Sequence, residues 1–363
     1  MIRSTVFLSI VLFLCATARA QQALEGSAAN LQKCLTDDDF DPELDYFPSK
    51  WEPSQYIPAA TKLDPAGDGN FIEFNQDVTT DLFSISYHKY YKIITNHFVN
   101  QTYLLYLCGT EPPTEELEEG RHHLVLPIPH TGGVAVTETP QIPYLELLGL
   151  RNQIVGYIGD DQWVSSPCLN YMLDNNDYEA ETVVNADDPY NATINQQLTQ
   201  EFLDKHDNNV LIFGGPYFDP TANRTVIAAA TQERTTVATF DWLGYYAAYF
   251  NLEDMSNQIV AETKARYDCS SANAERVSAD QSAEDRTVVL WATYFEGYNW
   301  SVAECPSWDT TYYCEYAMHC GARILSRPEG LGWKNPEFGG RYWYLDDDQL
   351  LEVRSLTFLL FGQ

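Results

Sequence analysis

The chain of 363 residues carries 52 acidic against 21 basic side chains, a formal net charge of −31. That balance excludes nucleic acid as a partner and opposes attachment to anionic membranes. Hydrophobic residues make up 45% and aromatics 13%, which excludes a disordered chain and suffices for two lobes with cores of their own.

Residues 1–20 read as a secretory signal peptide. Arg3 supplies the basic start, Val6 to Cys15 the apolar run, and Ala18-Arg19-Ala20 the small-x-small cleavage pattern. About ten apolar residues are too few to span a bilayer. A secreted, glycosylated chain is expected, with Asn-x-Ser/Thr triplets at Asn100, Asn191, Asn223 and Asn299. Of eight cysteines, loss of Cys15 with the leader leaves Cys34, Cys108, Cys168, Cys269, Cys305, Cys314 and Cys320. All seven are disulfide candidates in an oxidising compartment, and the odd number leaves one thiol free or paired outside the chain. Cys314 and Cys320, in "CEYAMHC", are expected to pair.

Residues 21–120 predict an extended arm, a β-hairpin from "FSISYHKYYKIITN" and "QTYLLYLCGT", and the acidic linker "EPPTEELEEG". From 121 to 250 strands and helices alternate, the mark of a mostly parallel sheet flanked by helices. "HHLVLPI", "GVAVT", "QIVGYIG", "VLIFGG" and "TTVATF" read as strands, with "VLIFGG" buried on both faces. "YLELLG" reads as a short helix ending at Gly149, and "INQQLTQEFLDKHDNN" as a longer one. Residues 251–268 predict a further helix, with Asn251 as its cap, Glu253 and Asp254 in its first turn and Lys264 and Arg266 in its last. A polar loop is expected from Cys269 to Asp285. The strand "TVVLWATYF" then opens a second α/β unit, residues 286–363, in which "YWYLDDDQLLEV" reads as a helix. So short a second lobe reads as incomplete, as in a truncated chain, with a strand edge left open.

The succession "VAVTETPQIPYLELLGLRNQIVGYIGD", then "VLIFGG", the 251–268 helix and "VVLWATYF…YYCEYAMHCGARIL", resembles the helical-linker class of periplasmic solute-binding proteins. These serve uptake of ferric siderophores, cobalamin and metal ions. The resemblance implies an α/β fold of two Rossmann-like lobes joined by a long helix, here preceded by a hairpin appendage. It implies a small molecule or metal chelate held between the lobes, a membrane transporter or receptor as partner, and no catalysis. Metal is expected only inside a chelate, and no cofactor of the protein's own.

In a parallel sheet, loops after the carboxyl ends of strands line the ligand crevice. Thr137, Glu138, Thr139 and Gln141 follow one strand, Asp160 and Trp163 another, and Gly215 and Tyr217 a third. In the second lobe Tyr294, Trp300, Trp308 and Tyr313 offer aromatic area with polar tips. Each has a plainer reading: Thr139 before Pro140 can cap a helix, Gly214-Gly215 can serve a tight turn, and the aromatics can be core. His122, His123 and His130 are close in sequence, but adjacent strand residues point to opposite faces and cannot both bind one ion. The acid pairs Asp160-Asp161 and Asp187-Asp188 leave a glycosidase as the alternative, and a surface glycoprotein that keeps only the fold is a third reading.

Overall fold

The computed structural model describes residues 80–354, except 119, 176–179, 189–190, 283–284, 296–298, 306–311 and 335–341. It also describes parts of 31–47 and the strands at 60–63, 71–73 and 358–361. The signal peptide and Trp308 lie outside the described residues. Contacts divide the chain into two units, Met1–Gln232 with Asp241–Ala261, and Glu233–Phe240 with Glu262–Gln363.

In the first unit the expected hairpin is present as part of a wider sheet. Strands β1 (Ala60–Leu63), β2 (Phe71–Glu73), β3 (Phe83–Tyr87), β4 (Tyr91–Asn96), β5 (Gln101–Leu107) and β6 (Leu124–Ile128) lie in the order β2-β1-β3-β4-β5-β6. The strand 124–128, expected to open the parallel lobe, instead pairs in parallel with β5 and closes this sheet. Its composition explains the placement. Leu126 and Ile128 are buried while Pro127 between them is exposed, the alternation of a strand covered on one face. A proline that cannot donate to a ladder also belongs at an edge.

The second sheet of this unit is wholly parallel. Strands β7 (Val134–Val136), β8 (Ile154–Ile158), β9 (Glu181–Val183), β10 (Leu211–Gly214) and β11 (Thr225–Ile227) lie in the order β11-β10-β7-β8-β9. Strand β10 is buried throughout, as its continuous apolar run requires. Helices α1 (Ile142–Leu147), α2 (Pro167–Asp174) and α3 (Ala192–Lys205) lie among these strands. The first helix gives way to Gly149 at φ +72°. Phe202 and Leu203 of α3 join Ala135, Ile158, Val183, Val210 and Ile212 in one core. The glycine of "IVGY" is needed there: a Cβ on Gly156 would stand 2.6 Å from the Phe202 ring.

"TTVATF" is not a strand but the start of helix α4 (Thr236–Ala248). Its β-branched opening misleads, because every residue from 241 to 250 is buried, and a helix surrounded by protein shows no polar stripe. Phe83 of β3 packs edge-on against Trp242 and Tyr245, with centroids 4.8 and 5.2 Å apart. Beyond it, helix α5 runs 26 residues from Glu253 to Ser278, through the segment expected as a loop. Between Asn251 and Gly297 the sequence has neither glycine nor proline, and alanines, Glu275 and Arg276 continue the helix.

Asn251 does not cap α5. It sits at φ +53° outside the helix, and its side chain joins a buried network. Lys92, fully buried, donates to Asn251 Oδ1 at 2.7 Å, to the Ala248 carbonyl at 3.0 Å and to the Glu253 carboxylate. Tyr87 donates to the same Glu253 oxygen at 3.1 Å. Burial pulls the Lys92 ammonium down and pushes the Glu253 carboxyl up, and their mutual attraction opposes both shifts. Gln32 donates to the Phe250 carbonyl, and Cys34 is bonded to Cys108, so the arm is tied to this unit.

The second unit is built on β12 (Val288–Phe295), β13 (Asn299–Ala303), β14 (Arg323–Ile324), β15 (Tyr342–Leu345) and β16 (Phe358–Phe361), with helices α6 (Tyr312–His319) and α7 (Asp347–Arg354). The sheet is mixed: β12 pairs antiparallel with β13 and β13 with β15, while β14 and β16 run parallel to β12. "YWYL" is thus strand, and only the residues after it are helix. Cys314 pairs with Cys305 and not with Cys320. Cys314 is inside α6 and Cys320 just past its end, about 9 Å further along by helical rise, beyond disulfide reach. Cys168, Cys269 and Cys320 are free and exposed.

Candidate functional site

Five parallel strands bring their carboxyl ends to one rim of the first unit. Thr137 and Glu138 leave β7, Gly159 and Asp160 leave β8, and Gly215 leaves β10. The loops interlock. The Thr137 hydroxyl accepts the Gly215 N–H at 2.8 Å. Gln141 turns its Oε1 back to accept the N–H groups of Thr137 and Glu138 at 2.9 and 3.3 Å. Capping therefore falls to Glu138 and Gln141 around a 3₁₀ turn, Thr139–Gln141, and not to Thr139.

This arrangement fixes Glu138. Its carboxyl group lies against Gly215, where a Cβ would stand 2.1 Å from its carbon. Burial raises the Glu138 carboxyl above the usual carboxylate range. Beneath the rim the Tyr157 phenol is pushed up to about 12, by burial first and then by Glu138, Asp160 and Asp161. The buried Tyr246 hydroxyl, raised by burial, also feels Glu138, and its ring stacks on Tyr144 with centroids 5.0 Å apart. Neither the Tyr246 hydroxyl nor Gln141 Nε2 has a hydrogen-bond partner among the described residues.

Two aromatics of the rim stand in solvent, Trp163 at 69% and Tyr217 at 83% exposure. Tyr217 and Gly159 open a cleft of about 450 Å³ that follows α3. The acid pairs serve local structure: Asp160 accepts from the Gln162 N–H at 3.2 Å and Asp161 from the Thr182 hydroxyl at 2.5 Å. Asp187 and Asp188 are exposed.

In the second unit Tyr294 and Trp300 face each other across the β12–β13 pair, with centroids 5.4 Å apart. Trp300 Nε1 donates to Asp347 at 2.8 Å, and Tyr294 is 53% exposed. Tyr313 packs on Trp291 at 4.5 Å beside the Cys314–Ala317–Ile324 core.

The histidines have separate duties. His122 bridges Thr102 and Glu116, His123 meets Gln101, and His130 bonds the Gly133 carbonyl at 2.8 Å. Among the described residues no three His, Cys, Asp or Glu side chains are grouped to hold a metal ion, and no helix is long and apolar enough to cross a membrane. The sequons at Asn100, Asn223 and Asn299 are exposed, and Asn191, half-buried, caps α3 by accepting the Ile194 N–H at 3.2 Å.

Sequence reasoning missed Tyr157 and Tyr246. Their hydroxyls lie near Glu138 only through tertiary packing, and neither sits in a loop after a strand. The signal that could have found Tyr157 is its place two residues before Gly159 on a strand whose partner faces are apolar.

No protein-family model and no curated protein matches this sequence. Solved structures that match include a periplasmic binding protein from Veillonella parvula, at 12% identity and a TM-score of 0.39 over 64% of this chain and 70% of that one. The periplasmic heme binding protein HutB of Vibrio cholerae gives 15% and 0.40, over 64% of this chain and 76% of that one. SirA of Staphylococcus aureus gives 12% and 0.34 over the same shares, 64% and 76%. Likeness at this level says nothing of what this chain binds.

Proposed function

We propose that this is a secreted solute-binding glycoprotein whose first lobe holds a neutral or cationic metal chelate at the carboxyl rim of its parallel sheet. Support comes from the rim itself. Thr137, Gly215 and Gln141 hold Glu138 in place, the carboxylates of Asp160 and Asp161 lie near, and Trp163 stands exposed on the same edge. None of these rim residues is basic, so an anionic chelate would meet repulsion there, while a cationic one gains from the acidic field of the whole chain. The chelator brings the metal's ligands with it, so the protein needs only area, hydrogen bonds and charge. The role proposed is binding, and Gln162 and Thr182 tie the two adjacent aspartates into the local loop structure. A membrane transporter or receptor is the partner this role requires.

The test is a tryptophan-fluorescence titration of the glycosylated chain with three probes: a cationic ferric trihydroxamate, hemin and cyanocobalamin. Saturable quenching by the cationic chelate is expected, weakened about tenfold in Glu138→Gln, the loss of one charge-assisted contact. Absence of saturable quenching by all three, with no adduct retained in native mass spectrometry, would refute the reading.

A further inference from the structure

The cleft beside α3 has a chemistry of its own. One helical face, Asn195, Gln196, Thr199 and Gln200, borders it, where a helix on a sheet ordinarily presents apolar side chains. Among its lining residues there is no lysine or arginine, and the one carboxylate, Asp219, accepts from the N–H and hydroxyl of Thr221. Its floor is apolar, with Ile158 and Val183 each 7% exposed, and Tyr217 offers a bare ring at one end. Amide and hydroxyl groups above an apolar floor, with an open aromatic face, suit an uncharged ring carrying hydroxyls on its edge and C–H bonds on its faces.

An N-glycosylation triplet stands at the other end. Asn223, in the triplet Asn223-Arg224-Thr225, lines the same cleft, and its Nδ2 donates to Asn208 just past the carboxyl end of α3. Tyr217 and Gly159 lie toward the amino end, where Ala192 begins the helix. The α3 residues of the lining span Ala192 to Leu203, about 16 Å by helical rise. Asn223 is exposed.

We infer that the N-linked glycan of Asn223 lies along this cleft, its first sugar rings against Gln200, Gln196 and Phe218 and its path ending over Tyr217. Covalent attachment gives the sugar a high effective concentration, so contacts too weak to hold a free sugar suffice. The glycan then covers the exposed Tyr217 ring and the mouth of the cleft. The inference rests on the reading of this chain as a secreted glycoprotein, and not on which solute it carries.

The Asn100 triplet is the internal control, because Asn100 stands exposed in the β4–β5 turn at φ +53°. The full chain is secreted from a eukaryotic host that adds high-mannose glycans, then treated in its native state with an endoglycosidase. Release from each site is followed by peptide mass. Expected is occupancy of Asn223 with release about tenfold slower than from Asn100. In Tyr217→Ala, which touches only an exposed side chain, release from Asn223 rises toward the Asn100 rate. An unoccupied Asn223, equal rates at the two sites, or a rate that Tyr217→Ala leaves unchanged would overturn the inference. A second arm uses Asn223→Gln, which bares the cleft: an apolar dye should bind this variant more than the glycosylated parent, and equal binding would count against shielding. Failure of the fluorescence titration leaves these outcomes untouched.

Discussion

Gly215 decides how Glu138 is held. The space that a methyl group would take is filled by the far end of the Glu138 side chain, so Gly215→Ala has room to fold by pushing that carboxylate aside. The expected result is a near-normal melting temperature with chelate affinity reduced about as much as in Glu138→Gln. Unchanged affinity in the folded variant would show that Glu138 is not the contact. Lys92 presents the opposite case, a charge whose place is wholly structural. Lys92→Met leaves Glu253 buried without its cation, a change that typically costs about 3–5 kcal/mol. Adding Glu253→Gln removes the orphaned charge, and denaturant midpoints should show part of the loss regained.

Among elements, the arm and its disulfide matter more than their irregular sequence suggests. Cys34–Cys108 closes a separation of 74 residues and Cys305–Cys314 one of 9. Chain entropy then predicts about 4 kcal/mol from removing the first by Cys34→Ala with Cys108→Ala, and about 2.5 kcal/mol for the second. Calorimetry of the two double variants checks the order. Elements with one clear period were legible in the sequence: α1 with its Gly149 stop, α3, and the buried strand β10. Those that failed did so for definable reasons. Helix α4 has no polar stripe because protein surrounds it, α5 outran its periodic stretch because nothing in the sequence stopped it, and β6 was assigned to the wrong sheet because parallel pairing with β5 is a tertiary choice. The rim loops at 137, 160 and 215 were legible, since strand-to-loop positions follow from the α/β pattern. The hydrogen bonds that organise them, above all Gln141 reaching back, were not.

At the scale of the whole molecule, acid is the stress to apply. Burial lowers His88 and His130 from 6.5 to about 4. Both are neutral in the fold where the unfolded chain already takes up protons, so stability falls as pH drops from 6.5 through 4. For His130, 4% exposed, the loss reaches about 3 kcal/mol at the acid end. Midpoints measured across that range should flatten in His130→Gln, which keeps a donor for the Gly133 carbonyl without the titration.

The Lys92–Glu253 pair also sets a timetable. Its partners are 161 residues apart, and Gln32 must wait 218 residues for the Phe250 carbonyl. A ribosome adding about 5–20 residues per second needs roughly 10–40 s to make the intervening chain. Throughout that interval the nascent N-terminal sheet holds an ammonium that cannot yet be buried and a strand face with no helix to cover it. Its maturation therefore belongs to the late stage of synthesis, and until then the emerging polypeptide is a natural client for chaperones that recognise exposed apolar strands.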